Sequence, residues 1–188
     1  MKTKQIYDYL ERLNNLLRAD SRRGGAEYGL QPIQLEALHY LSICNRYSDT
    51  PMATTEYLGQ TKGTVSQTLK VLENKGLLTR HADSADKRLV HLKVSRDGKK
   101  LLKASIPTPL FTRACEALTD KNQSKILKAL EELLVTMQQT NNMKTFGVCY
   151  SCQYHQKVGN NRFYCNLTKE ALSAEDVQLI CREHQKNG

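Results

Sequence analysis

The sequence predicts a mainly α-helical chain with a small β-hairpin wing, which is an α+β winged helix-turn-helix fold. Three observations predict it. Residues 53–98 carry a short helix, a turn and an amphipathic helix, followed by two strands joined by a charged loop. Apolar stripes at helical spacing lie on both sides of that region. A cysteine-rich tail follows them.

Positive charge is concentrated in the same region. The chain of 188 residues has a formal net charge of +9. Residues 57–103 contain eleven Lys or Arg against four Asp or Glu, a surplus of seven. A compact basic region of this kind is the electrostatic footprint expected of a protein that binds nucleic acid.

Other classes of protein are not indicated. Residues 1–17 have no continuous apolar core, and no run in the chain approaches the length of a membrane span. We therefore expect a cytoplasmic protein without a membrane partner. The chain has no glycine-rich phosphate loop, HExxH motif or nucleophile elbow. We predict no enzymatic activity and no catalytic residues.

Two helices precede the basic region. An apolar stripe predicts a helix from Thr3 to Ala19, which the segment Ser21–Gly25 should break. That stripe consists of Ile6, Leu10, Leu13 and Leu17. A second helix begins near Pro32, since proline is tolerated in a first turn, and it continues through Cys44.

The next two helices form the helix-turn-helix. Thr54 or Thr55 can cap a short helix that ends at Gly59, and Thr61 can cap a longer one over Lys62–Lys75. The longer helix has one apolar face and one face of hydroxyl, amide and cationic side chains. That polar face suits a DNA groove, because amides pair with adenine and lysines neutralise phosphates. The candidate DNA contacts on it are Thr61, Lys62, Thr64, Ser66, Gln67 and Lys70.

A hairpin and two helices follow. We predict strands at Leu77–His81 and Leu89–Val94, and the polar loop between them places Lys87 and Arg88 as further DNA contacts, because the minor groove attracts arginine. Ser95 caps a long helix, which prolines at 107 and 109 should kink or interrupt. The last helix, capped by Thr119, carries an apolar stripe made of Ile126, Leu130, Leu133, Leu134 and Met137.

Residues 30–105 resemble the winged helix-turn-helix of the MarR family of bacterial transcription regulators. The wing of such proteins typically reads R-x-x-D-P-x-D-x-R, and Ser84 replaces the proline here. The resemblance rests on motifs in the right order and spacing, namely Leu58-Gly59, Thr64 to Ser66, Leu72 to Leu78, Arg80, Asp83, Asp86, Arg88, Ser95 and Gly98. It stops near Asn142.

The resemblance implies a homodimer that binds a double-stranded DNA operator as a sequence-specific transcriptional regulator, here expected to be a repressor. On that reading, residues 1–29 are an N-terminal dimerisation helix, 30–105 the DNA-binding domain and 106–142 the C-terminal dimerisation helices. The apolar stripes fit the dimerising role. A small-molecule effector is a further candidate partner.

Residues 146–188 form a cysteine-rich tail outside the resemblance. A Cys-x-x-Cys step brings two sulfurs onto one turn, and two distant thiolates complete a tetrahedron, which suits either Zn2+ or an iron–sulfur cluster. The candidate ligands are Cys149, Cys152, Cys165 and Cys181. His184 is an alternative zinc ligand, as is His155. The remaining interpretation of the four cysteines is that they are free thiols packed as small hydrophobic side chains. For Cys44 and Cys115, which stand alone on helical faces, we adopt that interpretation.

The sequence allows several interpretations of the role of the tail. It can sense metal or redox state for the regulator, or it can be a structural zinc site in a regulator that responds to a small molecule. An iron–sulfur redox protein would need no basic helix-turn-helix. An RNA-binding module would need an aromatic stacking platform, which the basic region lacks. We also predict a hairpin turn at residues 159–161, a short helix over Leu172–His184, and solvated side chains at His81 and His91.

Overall fold

The computed structural model describes residues 1–84, 86–140 and 144–186. Its elements confirm the predicted α+β winged helix-turn-helix fold. The helices are α1 Lys2–Ala26, α2 Pro32–Ile43, α3 Pro51–Leu58, α4 Lys62–Asn74, α5 Arg96–Ser105, α6 Pro109–Glu116 and α7 Asp120–Thr140. The strands are β1 Leu78–Ala82, β2 Val90–Val94, β3 His155–Gly159, β4 Arg162–Cys165 and β5 Glu170–Leu172.

The main core lies between α2, α4, α5 and the wing. Its buried side chains include Leu38, Leu69, Leu72 and Leu92, each at most 1% exposed. Strands β1 and β2 pair antiparallel, with Arg80 opposite Leu92 at the centre of the register. The apolar face predicted for α4 therefore packs against the rest of the winged helix-turn-helix (residues 30–105, called the head), and its polar face is exposed to solvent.

The first helix is longer than predicted. It runs to Ala26 and passes through Gly24 and Gly25, where we expected a break. Two glycines cost a helix only about 2 kcal/mol in all. The carbonyl of Gly25 accepts bonds from the backbone N–H groups of Tyr28 and Leu30, so the chain turns after the helix and not within it.

The cap of α3 also differs from the prediction. Thr50 is the N-cap, and its hydroxyl accepts from the N–H of Ala53 at 3.2 Å. The hydroxyls of Thr54 and Thr55 instead donate to carbonyls one turn back, at 2.9 and 2.8 Å. The caps predicted at Thr61 and Ser95 are confirmed, as is the glycine that ends α3.

The predicted long helix after the wing is two helices. α5 ends at Ser105 and α6 begins at Pro109, because neither proline in this segment can donate the backbone bond that a continuous helix needs. The last helix, α7, carries the predicted apolar stripe, but none of its residues, all of which are described, is buried. No helix in the described ranges is both long and apolar enough to cross a bilayer.

The tail contains a three-stranded antiparallel sheet in the order β3-β4-β5. The hairpin turn predicted at residues 159–161 is confirmed between β3 and β4. The helix predicted over Leu172–His184 is wrong, since only Asp176–Gln178 form a single 3-10 turn. The backbone groups of Ile180 are bonded elsewhere. Its N–H donates to Ile43 and its carbonyl accepts from Asn45, both at 2.9 Å.

These bonds attach the tail to the loop between α2 and α3. Arg182 adds a two-fold contact with the carboxylate of Glu56 on α3, at 2.6 and 2.7 Å. Phe146 enters the main core and lies edge-on to the rings of Tyr40 and Tyr57. The tail therefore packs on the winged head through backbone, ionic and aromatic contacts.

Candidate nucleic-acid interface and cysteine cluster

The polar face of α4 is open to solvent. Thr61, at its N-terminus, accepts from the backbone N–H of Thr64 at 3.2 Å, and the two hydroxyls are 3.0 Å apart. This pair rigidifies the first turn of the helix. The predicted DNA contacts on the helix are all exposed, namely Thr61, Lys62, Thr64, Ser66, Gln67 and Lys70. Their role in binding stays a prediction.

The tip of the wing presents two exposed cations, Lys87 and Arg88. The guanidinium of Arg88 makes paired bonds to the carboxylate of Asp86, at 3.0 and 3.1 Å. Hydrogen bonding from Arg88 lowers the pKa of Asp86. Asp83 in turn accepts from the backbone N–H of Asp86 at 2.8 Å. The acids of the loop therefore fix its shape, while the side chain of Arg88 remains 92% exposed.

A histidine link joins the wing to the α2–α3 loop. His91 on β2 contacts Asp49 through Nδ1 and Asp83 through Nε2, the latter at 3.2 Å. Burial acts to lower the pKa of His91, but hydrogen bonds and charge from the two carboxylates outweigh it and raise the pKa. Our expectation of a solvated His91 is wrong. No pattern in the sequence indicates that Asp49, in the loop before α3, contacts a residue of β2.

The four tail cysteines line one small cavity of about 30 Å³. The turn Cys149–Ser151 and the residue after it supply two thiols, the end of β4 supplies Cys165, and the segment bonded to the α2–α3 loop supplies Cys181. Burial, and then the neighbouring thiols of the other three, raise the pKa of Cys149 to about 12. Four cysteines that are distant in sequence are therefore close in space.

Polar groups surround these sulfurs. The backbone N–H of Gln185 donates to the sulfur of Cys152 at 3.4 Å. Burial raises the pKa of Cys181, while hydrogen bonding from the Asn45 amide and a backbone N–H acts in the opposite direction. Nδ2 of Asn45 and Nδ1 of His155 are buried, and neither makes a hydrogen bond of standard geometry to any described residue. Both residues line the same cavity.

The structure places His184 away from this cavity. Its two ring nitrogens contact the hydroxyls of Thr145 and Ser151, at 2.8 and 3.0 Å. His155 is the histidine that lies beside the thiols. Within the described ranges, no group of three or more His, Cys, Asp or Glu side chains is already arranged to hold a metal ion. A metal or iron–sulfur group at the four cysteines stays a prediction.

The two remaining cysteines lie outside the cluster. Cys44 is buried in the main core, where burial raises its pKa to about 12. Cys115 on α6 is partly exposed. The prediction of a buried small hydrophobe therefore fits Cys44 better than Cys115.

Comparison with known proteins matches the head of this chain. Residues 28–89 match the model of the MarR family. The MarR-like segment runs from the approach to α2 to the tip of the wing, so it includes the whole of α4. The chain is 39% identical over 66 residues to the transcriptional regulator HosA of Escherichia coli O157:H7, a match that covers 35% of this chain. It spans about half, 49%, of that relative's length.

Solved MarR structures share the fold beyond the matched segment. A MarR transcriptional regulator from Methanosarcina mazei Go1 superposes with a TM-score of 0.62 and 18% identity, covering 73% of this chain and 99% of that one. The S. aureus MepR–DNA complex superposes with a TM-score of 0.57 and 24% identity, covering 69% of this chain and 97% of its own. The MarR-like architecture thus accounts for nearly the full length of these neighbours.

Proposed function

We propose that this chain is a cytoplasmic, sequence-specific DNA-binding transcriptional regulator of the MarR type, without enzymatic activity. The observation that carries the proposal is the pairing of an exposed polar helix face with an exposed cationic wing tip on a MarR-like head. A groove-facing helix supplies base readout, and a wing cation supplies charge for the backbone or minor groove. A neighbour of the same fold has been solved in complex with DNA.

The regulator acts as a homodimer on a pseudopalindromic operator. Each α4 enters one major groove, and the half-sites lie about one helical turn apart. The exposed apolar residues of α1 and α7 supply the interface, since Leu13 and Leu134 are 51% and 57% exposed in the single chain. Such faces are more apolar than an isolated subunit keeps in water.

Regulation is a change in the spacing or angle of the two α4 helices, biased by an effector. Repression follows if the unliganded dimer occupies its operator. We place the signal at the four tail cysteines, which would hold Zn2+ or an iron–sulfur cluster and report metal supply or redox state. A structural zinc site in a regulator that responds to a small molecule is the second candidate.

Selection from a library of random DNA duplexes tests the DNA-binding proposal. Purified chain should enrich a pseudopalindromic sequence, and footprinting on it should protect two half-sites about 10 base pairs apart. Enrichment of no sequence above the starting library would overturn the proposal. The enriched duplex then serves as the operator in the tests below.

Gln67→Ala should relax base discrimination. An amide that pairs with adenine in the major groove contributes about 1–3 kcal/mol of discrimination at one base pair, so affinity for the selected operator should fall while single-base variants at one position become equivalent. Competition binding against a panel of point-mutated operators measures this. Gln156→Ala, an exposed glutamine on β3, is the matched control. An equal loss of affinity for every operator sequence would show that Gln67 does not read a base.

Arg88→Ala should flatten the salt dependence of operator binding. Each phosphate contact contributes about 0.9 to the slope of log K against log salt, so the slope should fall by about that amount. The free carboxylate of Asp86 would also repel DNA once its partner is removed. Arg162→Ala, an exposed arginine of the tail, should leave the slope unchanged. The same slope in both variants would exclude the wing tip from the interface.

A further inference from the structure

The cavity lined by the four tail cysteines is small. Its volume of about 30 Å³ has room for about two water molecules, since a buried water needs roughly 10–15 Å³. A space of this size accepts a single ion, whereas an iron–sulfur cluster places several iron and sulfide atoms between its cysteines. Four sulfur donors around one ion are the usual set for a closed structural zinc site.

Donor groups are already in place around the thiols. The N–H of Gln185 bonds to Cys152, and the amide of Asn45, only 1% exposed, lies beside Cys181 with no standard hydrogen bond for its Nδ2. A thiol is a weak acceptor, while a metal-bound thiolate is a strong one. Amide N–H groups buried against sulfur donate hydrogen bonds that stabilise the charge of metal-bound thiolates.

The same asparagine belongs to the loop before the helix-turn-helix. Oδ1 of Asn45 accepts from the hydroxyl of Ser48 at 2.9 Å, and Ser48 accepts from the N–H of Arg182 at 2.8 Å. The carbonyl of Ser48 accepts a hydrogen bond from the hydroxyl of Tyr40 at 2.7 Å. One bonded network therefore joins the segment that carries Cys181 to the end of α2.

The loop continues directly into the DNA-binding elements. The carbonyl of Asp49 accepts from the N–H of Leu92 on β2 at 2.7 Å, and its carboxylate contacts His91. The next residue, Thr50, is the N-cap of α3. Arg182 also contacts α3 through the carboxylate of Glu56. A displacement of the Cys181 segment would thus reach both α3 and the wing.

We propose that Cys149, Cys152, Cys165 and Cys181 bind a single zinc ion, and that this ion fixes the α2–α3 loop through Asn45 and so sets the DNA-binding geometry of the head. The inference rests on the proposed function for its readout, but the metal site stands independently of it. In the zinc-free chain the thiols have no common partner, so the hydrogen bond from Asn45 to the Cys181 sulfur weakens and the loop is held only by its bonds to Ile180 and Arg182. Zinc occupancy then becomes the signal.

Elemental and optical analysis of anaerobically purified chain tests the site. We expect one zinc per chain and a colourless protein. Replacement by Co2+ should give sulfur-to-cobalt charge-transfer absorption with the strong visible bands of a tetrahedral ion. Cys149→Ser and Cys181→Ser should each lower zinc binding at least tenfold, whereas Cys115→Ser, on α6, should keep full stoichiometry. Metal-free protein, an iron–sulfur spectrum, or unchanged zinc in Cys181→Ser would overturn the proposal.

Operator binding before and after zinc removal under reducing conditions tests the coupling. We expect the wild-type chain to lose at least tenfold in affinity on zinc removal and to regain it when Zn2+ is added. Asn45→Ala keeps all four thiols, so it should still bind zinc while its operator affinity responds to zinc less than threefold. Arg182→Ala removes the contact with Glu56 on α3, so it should also weaken the response of operator affinity to zinc. This variant replaces Asn45→Ala in the test if Asn45→Ala does not fold.

The outcomes separate the two proposals. Equal operator affinity with and without zinc would overturn the coupling and leave the DNA-binding function intact. A full zinc response in both Asn45→Ala and Arg182→Ala would exclude the loop as the path. Absence of operator binding in every metal state would instead overturn the proposed function, and the zinc stoichiometry would still decide the site.

Discussion

Leu130→Arg is expected to convert the dimer to a monomer and to lower operator affinity at least a hundredfold. The side chain is 46% exposed in the single chain, on the stripe of α7 that carries Ile126, Leu134 and Met137. A buried unpaired guanidinium in that interface would cost several kcal/mol. A monomer also has only one DNA-binding head. Binding at one half-site therefore no longer raises the effective concentration of a second head at the other half-site.

Light scattering coupled to size-exclusion chromatography measures the first effect, and titration of the selected operator measures the second. Gln139→Arg is the matched control, because it adds the same charge to the opposite face of α7, where the residue is exposed. It should remain dimeric. A dimer in Leu130→Arg would mean that α7 is not the interface. A monomer with full operator affinity would contradict the claim that operator binding requires the DNA-binding heads of both subunits.

The head could be predicted from the sequence because local signals and packing agree there. The cap at Thr61 and the apolar face around Leu69 define α4, and the alternation of Val90, Leu92 and Val94 defines β2. Each signal lies within a few residues of the element that it specifies. The DNA-contact candidates followed directly, since a helix with one buried face leaves a known set of residues on the other.

The tail and its junction could not be predicted in the same way. The segment around Ile180 has apolar residues at spacings that suit a helix, yet its backbone groups are bonded to Ile43 and Asn45, more than 130 residues earlier in the chain. A long-range pairing of this kind leaves no local pattern. The contacts of Asn45 with Cys181 and of Asp49 with His91 were missed for that reason.

Helix ends show the same limit on a smaller scale. Thr50, Thr54 and Thr55 are all capable caps, and the sequence does not rank them. Pro51 decides the choice, because its missing N–H is best placed in the first turn, which makes the preceding residue the cap. The hydroxyls at 54 and 55 lie within the helix, so the position of the proline, and not the presence of a hydroxyl, identifies the cap.

Gly98→Ala is expected to destabilise the head by about 1–3 kcal/mol, although alanine is the better helix former. Gly98 lies in the first turns of α5 and is buried against the wing. A Cβ there would lie 2.4 Å from the carbonyl oxygen of Leu77 and 2.8 Å from Cγ1 of Val94. The carbonyl belongs to the backbone, and it also accepts from Ser95, so it cannot move without loosening the α5 cap.

Gly24→Ala supplies the opposite case in the same chain. Gly24 is also helical, and a Cβ there would meet no atom within 4 Å. Alanine should therefore stabilise α1 by about 0.5–1 kcal/mol through its lower conformational entropy in the unfolded chain. Urea unfolding of both variants, at one protein concentration, measures the pair. If alanine stabilises the protein at both positions, helix propensity alone governs them, and the close contact between α5 and the wing does not constrain residue 98.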